Sequence, residues 1–227
     1  MSSSLTLHIG VLSLPYHQLL DAAGPVDYLN NHSYAILSEI KSPLASKAPV
    51  IHWHYISYKS TLEPLPATSG PMQVPTCTYA DCPPLDYLLV PGPDPAIRIP
   101  DGCAEFVRSR FDGLKGLLLV CTGSIIIART GVLDGLNVCS NKMVLKDWAN
   151  AGKLPEKVKW VGDRRWIVDG KVWSAGGITA GIDLAAEFAR VHFDPEIVEL
   201  VKLFSEYKPN PDQPDVFAKI TEGVKLY

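Results

Sequence analysis

The chain has 227 residues, 47% of them hydrophobic, with 21 basic against 24 acidic side chains and a formal net charge of −3. That length and apolar content suit one α/β domain with a sizeable core, expected as a single unit over 1–227 with an extended tail over 209–227. The scattered charge excludes a basic nucleic-acid surface, and no apolar run reaches the roughly 18 residues of a membrane span, so neither nucleic acid nor membrane is expected as a partner.

The N-terminal stretch lacks a positive segment and a small-residue cleavage site, so it reads as structure and not as a signal peptide. Five cysteines is an odd number, which argues against a disulfide framework and for a reducing, cytoplasmic setting. No CxxC or HExxH is present, so no zinc site is expected.

Leu5 to Leu14 predicts a buried first strand that breaks at Pro15. Gly24-Pro25 before an apolar-periodic stretch predicts a helix start with proline in its first turn, and Asp21 lies just ahead of it. Lys41 to Pro49 reads as a loop. Val50 to Tyr58 alternates as a strand and puts His52 and His54 on one face. Such a pair holds a metal only with a third ligand, which the sequence does not reveal; a solvated or packed sheet face is the plainer reading. Thr61 to Cys82, rich in Pro, Gly and Thr, predicts an irregular excursion. Leu85 to Val90 is a buried strand ending in Pro91-Gly92-Pro93, and backbone at such a strand end commonly lines a ligand crevice. Asp101 to Phe111 predicts a helix with an aspartate N-cap.

The stretch from Leu114 to Gly135 is the most informative. Leu117-Leu118-Leu119-Val120 predicts a strand buried on both faces, and Ser124 to Ala128 a helix packed on it. Cys121 falls at the corner between them. A cysteine there has the geometry of a nucleophile elbow, and the helix dipole favours its thiolate. The alternative is a buried structural cysteine. Beyond it come a short strand at Val138 and Cys139, a helix from Met143 to Ala151, and strands over Lys157 to Val161 and Arg165 to Ala175, the last turning at Asp169-Gly170. Ile182 to His192 is a helix, and Asp194-Pro195-Glu196 opens a final one reaching Tyr207. The proline-containing tail starts extended and packs over the surface or on a partner subunit. Strands alternating with helices imply an α/β sandwich with a mainly parallel central sheet.

Three stretches together resemble one family: Asp21-Ala22-Ala23-Gly24-Pro25, Val120-Cys121-Thr122-Gly123-Ser124 with Gly131 to Gly135, and Gly177 to Ala185. In this order they look like the ThiJ/PfpI superfamily, which has the class I glutamine amidotransferase-like fold. The most similar branch contains isocyanide hydratase and domains of some AraC-type regulators. The resemblance implies a flavodoxin-like three-layer sandwich with a nucleophile elbow, a homodimer, and a reactive cysteine needing no metal or organic cofactor. Carried over, Cys121 matches the nucleophile and Asp21 the acid touching its sulfur, where a helix cap is the alternative reading of Asp21. Thr122 matches the residue whose backbone N–H helps form an oxyanion pocket, and Gly92 the turn that supplies another donor. Two departures stand out. Pro93 has no N–H to donate, and Asn141 occupies a position where the branch often has histidine, so no base is expected there.

The only histidine after Cys121 is His192, so a Cys-His triad is not expected. The resemblance implies addition of water to a small electrophile, most like hydration of an isocyanide to an N-substituted formamide through a Cys121 thioimidate with Asp21 as acid and base. Alternatives are glyoxalase- or deglycase-like chemistry on 2-oxoaldehydes and a non-enzymatic redox-sensing or chaperone-like dimer.

Overall fold

A computed structural model describes residues 5–226; residues 1–4 and 227, the ends of the expected domain, lie outside the described part. In chain order the elements are β1 (Thr6–Ser13), α1 (Leu19–Asn30), α2 (Tyr34–Glu39), β2 (Val50–Ser57), β3 (Leu65–Pro66), β4 (Met72–Gln73), β5 (Cys77–Thr78), β6 (Tyr87–Val90), α3 (Cys103–Phe111), β7 (Gly116–Val120), α4 (Gly123–Ala128), β8 (Asn137–Cys139), α5 (Lys142–Asn150), β9 (Lys159–Val161), β10 (Trp166–Asp169), β11 (Val172–Ala175), α6 (Thr179–His192) and α7 (Pro195–Phe204).

Seven strands form the central sheet in the order β10-β11-β7-β6-β1-β2-β5, parallel throughout except for the β10–β11 hairpin. Alternation along β1 explains the layering. Leu7, Ile9 and Val11 face one core with α1, α6 and α7, whereas Leu12 faces the other with α3, α4 and α5. The Leu117 to Val120 run is buried on both faces, and Ile125, Ile126 and Ile127 of α4 are fully buried, each contributing about 1.5–3 kcal/mol of hydrophobic stabilisation. The expected three-layer, mainly parallel architecture is the one observed.

Several local expectations give way. Helix α1 starts at Leu19, not at Gly24-Pro25, so Pro25 is interior and Asp21 sits inside the first turn. The start is hidden in the sequence because its cap comes from afar: the Leu19 N–H donates to Thr68 Oγ1 at 2.9 Å. Asp101 does not cap α3; Gly102 precedes the helix in a left-handed conformation (φ +77°), and Asp101 instead pairs with Arg98 at 2.8 Å. The stretch read as a loop after Lys41 holds a short 3-10 turn, Pro43–Lys47, capped by Ser42, and α2 was not foreseen. The tail folds back onto its own chain. Asn210 N–H donates to Asp183, Arg165 N–H donates to the Asp212 carbonyl, and Thr221 Oγ1 donates to the Gly162 carbonyl.

Among the described residues no helix is long and apolar enough to cross a membrane. All five cysteines are free and buried.

Candidate active site

The carboxyl ends of β1, β6 and β7 lie side by side in the sheet, and the segments leaving them converge. The chain leaving β1 leads into α1 with Asp21; β6 ends in the Pro91-Gly92-Pro93 turn; β7 ends at Cys121. Two hydrogen bonds lace the first two segments together: Gln18 N–H donates to the Gly92 carbonyl at 2.8 Å and Gly92 N–H to Asp21 Oδ2 at 3.0 Å.

Cys121 has φ +56°, a left-handed conformation costly for a residue with a side chain. The neighbours hold it there. Its N–H donates to the Ala175 and Gly176 carbonyls, and its carbonyl accepts from Ser124 Oγ at 3.0 Å and Ser140 Oγ at 2.9 Å. Two glycines let backbone approach the elbow. A Cβ on Gly92 would lie 2.6 Å from Thr122 Oγ1 and 2.7 Å from Thr122 N; one on Gly123 would lie 2.5 Å from the Val90 carbonyl oxygen.

The structure therefore brings Cys121, Asp21, Thr122, Gly92 and Asn141 together, though not all as expected. The Gly92 amide is taken by Asp21 and does not point into an open oxyanion pocket. Pro93 contributes its carbonyl, which accepts from Thr122 Oγ1 at 2.5 Å. The polar groups near the sulfur that favour its ionised form are the Thr122 N–H and hydroxyl and the Asn141 side chain. Asn141 is oriented by its own cap: Oδ1 accepts from Val144 N–H at 3.2 Å at the start of α5, which leaves its NH₂ to donate.

The expectation of a ready thiolate is corrected. Burial, and then the Asp21 charge, push the Cys121 thiol up to about 11, against the pull of its hydrogen bonds. Helix α4 has only six residues, so its dipole is small beside those opposing effects. Asp21 is fully buried, and that burial pushes its carboxyl up to about 7 despite the bond from Gly92. Its Oδ1 is buried without an aligned partner. Between about pH 7 and pH 11 the pair thus carries one negative charge and one proton between carboxyl and sulfur.

The cavity over Cys121 has a volume near 260 Å³ and is lined by Tyr16, Gln18, Thr68, Pro93, Asp94, Val144 and Ile178 besides Gly92, Cys121, Thr122 and Asn141; Asp21 lies behind this lining, and no histidine is part of it. His192 packs instead against Tyr87, Trp173 and Phe188, near the beginnings of the strands. His52 and His54 do have a third histidine beside them, His8 of β1, whose Nδ1 is 3.0 Å from His54 Nε2. The rings stack, and among the described residues no group of three His, Cys, Asp or Glu is placed to hold a metal. Sequence reasoning missed Ser124, Ser140 and Thr68. Each acts through one hydrogen bond to backbone, an arrangement that carries no motif.

A profile of the DJ-1/PfpI family matches residues 8–191. The chain is 32% identical over 209 residues to isonitrile hydratase from Pseudomonas putida, covering 91% of this chain and 81% of that protein. Among solved structures it resembles a ThiJ/PfpI family protein from Pseudomonas syringae (TM-score 0.69, 23% identity, 92% of this chain and 78% of that one). It also resembles DJ-1beta from Drosophila melanogaster (TM-score 0.67, 14% identity, 90% and 100%). At these identities the structures speak for the fold alone, the flavodoxin-like sandwich described above.

Proposed function

This chain belongs to the DJ-1/PfpI family, and on that footing we propose that it is a cofactor-independent enzyme that adds water to an isonitrile, R–N≡C, to give the formamide R–NH–CHO. The observation that carries the reading is Cys121 lining a cavity whose walls contain no histidine, with the fully buried Asp21 carboxyl against the sulfur from behind that lining. The Pseudomonas putida relative is an isonitrile hydratase, and its likeness to this chain extends over most of both proteins.

The chemistry follows from the single shared proton. The reacting form is the minor one in which that proton has moved to Asp21 and the sulfur is a thiolate, which the neighbouring Thr122 and Asn141 groups favour. Sulfur attacks the terminal isonitrile carbon as Asp21 protonates that carbon, giving the thioimidate R–N=CH–S and a carboxylate. Water then adds to the same carbon. Its proton passes through Asp21 to the substrate nitrogen. In the last step the new hydroxyl gives its proton to Asp21, the C–S bond breaks, and the formamide leaves with the pair restored. One group with a carboxyl near 7 serves each transfer without a separate base.

Incubating purified protein with cyclohexyl isonitrile and following formamide by proton NMR tests this. Cys121→Ala should abolish turnover, and Asp21→Asn should lower it by about 10²–10⁴-fold, the usual worth of a positioned acid-base group. Formamide formation by Cys121→Ala at the wild-type rate would refute the covalent route. A parallel arm with methylglyoxal tests the 2-oxoaldehyde reading.

A further inference from the structure

A second cavity adjoins the reactive one. Asn141 and Ile178 line both, and the second has a volume of about 400 Å³. That size is within the range of about 300–1,000 Å³ typical of small-molecule sites. Its apolar walls come from Met143 at the start of α5, the first turn of α6, and Phe217 and Ile220 of the tail. Phe217 and Met143 are 51% and 63% exposed, so two large apolar side chains stand at the open mouth of this second cavity.

The charged groups lining this chamber are already neutralised. Lys142 Nζ is 2.5 Å from the Asp215 carboxylate, both side chains being buried, and it also donates to the Arg164 carbonyl. Arg165 is ion-paired with buried Asp183 and donates to Thr179 Oγ1. No lining charge is left for an ionic ligand. The match to the family profile ends at residue 191, so the outer wall formed by Phe217 and Ile220 lies beyond it.

We propose that this chamber binds the N-substituent of the substrate, and that the substituent is an uncharged, apolar, ring-sized group packed between Ile178 and Phe217. The inference rests on the isonitrile reading for the reacting group. Its own content is the position and chemistry of the subsite. With the isonitrile carbon at Cys121 Sγ, the substituent passes Asn141 and Ile178 into the chamber. The tail side chains then set preference among isonitriles, while Cys121 and Asp21 perform the reaction.

Two measurements test it. The first is kcat/KM for methyl, cyclohexyl and 1-naphthyl isonitrile. The wild type should favour the larger substituents, and Phe217→Ala should lower the naphthyl-to-methyl ratio by about tenfold, the scale of a lost contact in a hydrophobic pocket. Ile220→Ala should lower it less. The second is calorimetric binding of the product analogue N-(1-naphthyl)formamide, which should weaken by a similar factor in Phe217→Ala. Phe217 is half exposed, so the variant keeps its fold, and a thermal melt checks this. A ratio unchanged within twofold in both variants, or turnover of methyl but not naphthyl isonitrile by the wild type, would overturn the subsite. If no isonitrile is turned over but formamide binding still depends on Phe217, the hydratase reading fails and the apolar subsite stands.

Discussion

The two walls of the cleft are built in different ways. On the inner wall, around Cys121, backbone does the positioning. A left-handed cysteine, two glycines that admit close approach, and a Cys121 carbonyl held by two serines fix the sulfur. The outer wall, residues 205–226, contains no helix longer than the 3-10 turn Ala218–Ile220. It is held by side chains of distant partners: Asp183 with Tyr207 and Asn210, Arg164 with Asp212 at 2.6 Å, Lys142 with Asp215. Backbone positioning tolerates little displacement, which suits bond making. A wall held by side-chain pairs can change its lining without disturbing the nucleophile, which suits selection among substrates. Substitutions in the two walls should therefore fail differently.

The sharpest break comes from the inner wall. Gly92→Ala places a Cβ against backbone that cannot swing away, the Thr122 nitrogen at 2.7 Å, and so pushes the turn off the elbow. Turnover should fall by about a hundredfold or more, the cost of a displacement near 1 Å at a reacting centre. The comparison predicts that the loss appears in kcat; a loss confined to KM would count against it. Next in size is the outer wall. Asp215→Ala leaves the Lys142 ammonium buried without its partner, which should cost about 3–5 kcal/mol of stability in urea unfolding. The double change Lys142→Met with Asp215→Leu should recover most of that, because the removed pair carries its own desolvation cost. Both tail variants, when folded, should keep kcat for methyl isonitrile closer to wild type than Gly92→Ala does.

The same division explains what could be read from the sequence. The inner wall was legible because its demands are local. A buried run ending in Cys-Thr-Gly-Ser and an Asp a few residues before Gly-Pro each fall within a handful of positions, and the order of strands and helices brings them together. Cys121, Asp21, Thr122, Gly92 and Asn141 accordingly meet at one place. What failed depended on distant partners. The start of α1 is capped by Thr68, and the tail closes on Asp183, Gly162 and Lys142. The protonation of the site departs from the sequence-based expectation for a related reason. Residue type suggests a thiolate at a helix start, whereas depth of burial and the facing carboxyl, both products of the whole fold, raise the thiol.

Protonation supplies the next test. If catalysis needs the pair with one proton removed, kcat/KM should rise with pH through about 7 and hold toward about 11. In Asp21→Asn the residual activity should rise only as the buried thiol itself ionises, so its acid limb moves to higher pH. An unchanged limb near 7 would assign that titration to another group.

The smallest effect concerns the cost of holding Asp21 ready. Its carboxyl is raised in the folded state to about 7, from 3.8 in the unfolded chain. Below 3.8 both states hold the proton and no penalty exists. Between the two values the unfolded chain has released its proton and the native one has not, so stability falls as pH rises. Above about 7 both are ionised and the whole penalty of a desolvated carboxylate is present. Asp21→Asn removes that charge while its amide oxygen can still accept from Gly92 N–H and its NH₂ can face the sulfur. The variant should therefore melt higher than wild type at pH 8, by about 2–4 °C for each kcal/mol recovered, with little difference at pH 4. A stabilised but impaired enzyme is what a site that stores an unfavourable charge for its chemistry would give. Equal melting at both pH values would show that the fold accommodates the Asp21 carboxylate without cost, and the acid role assigned to it would lose its physical basis.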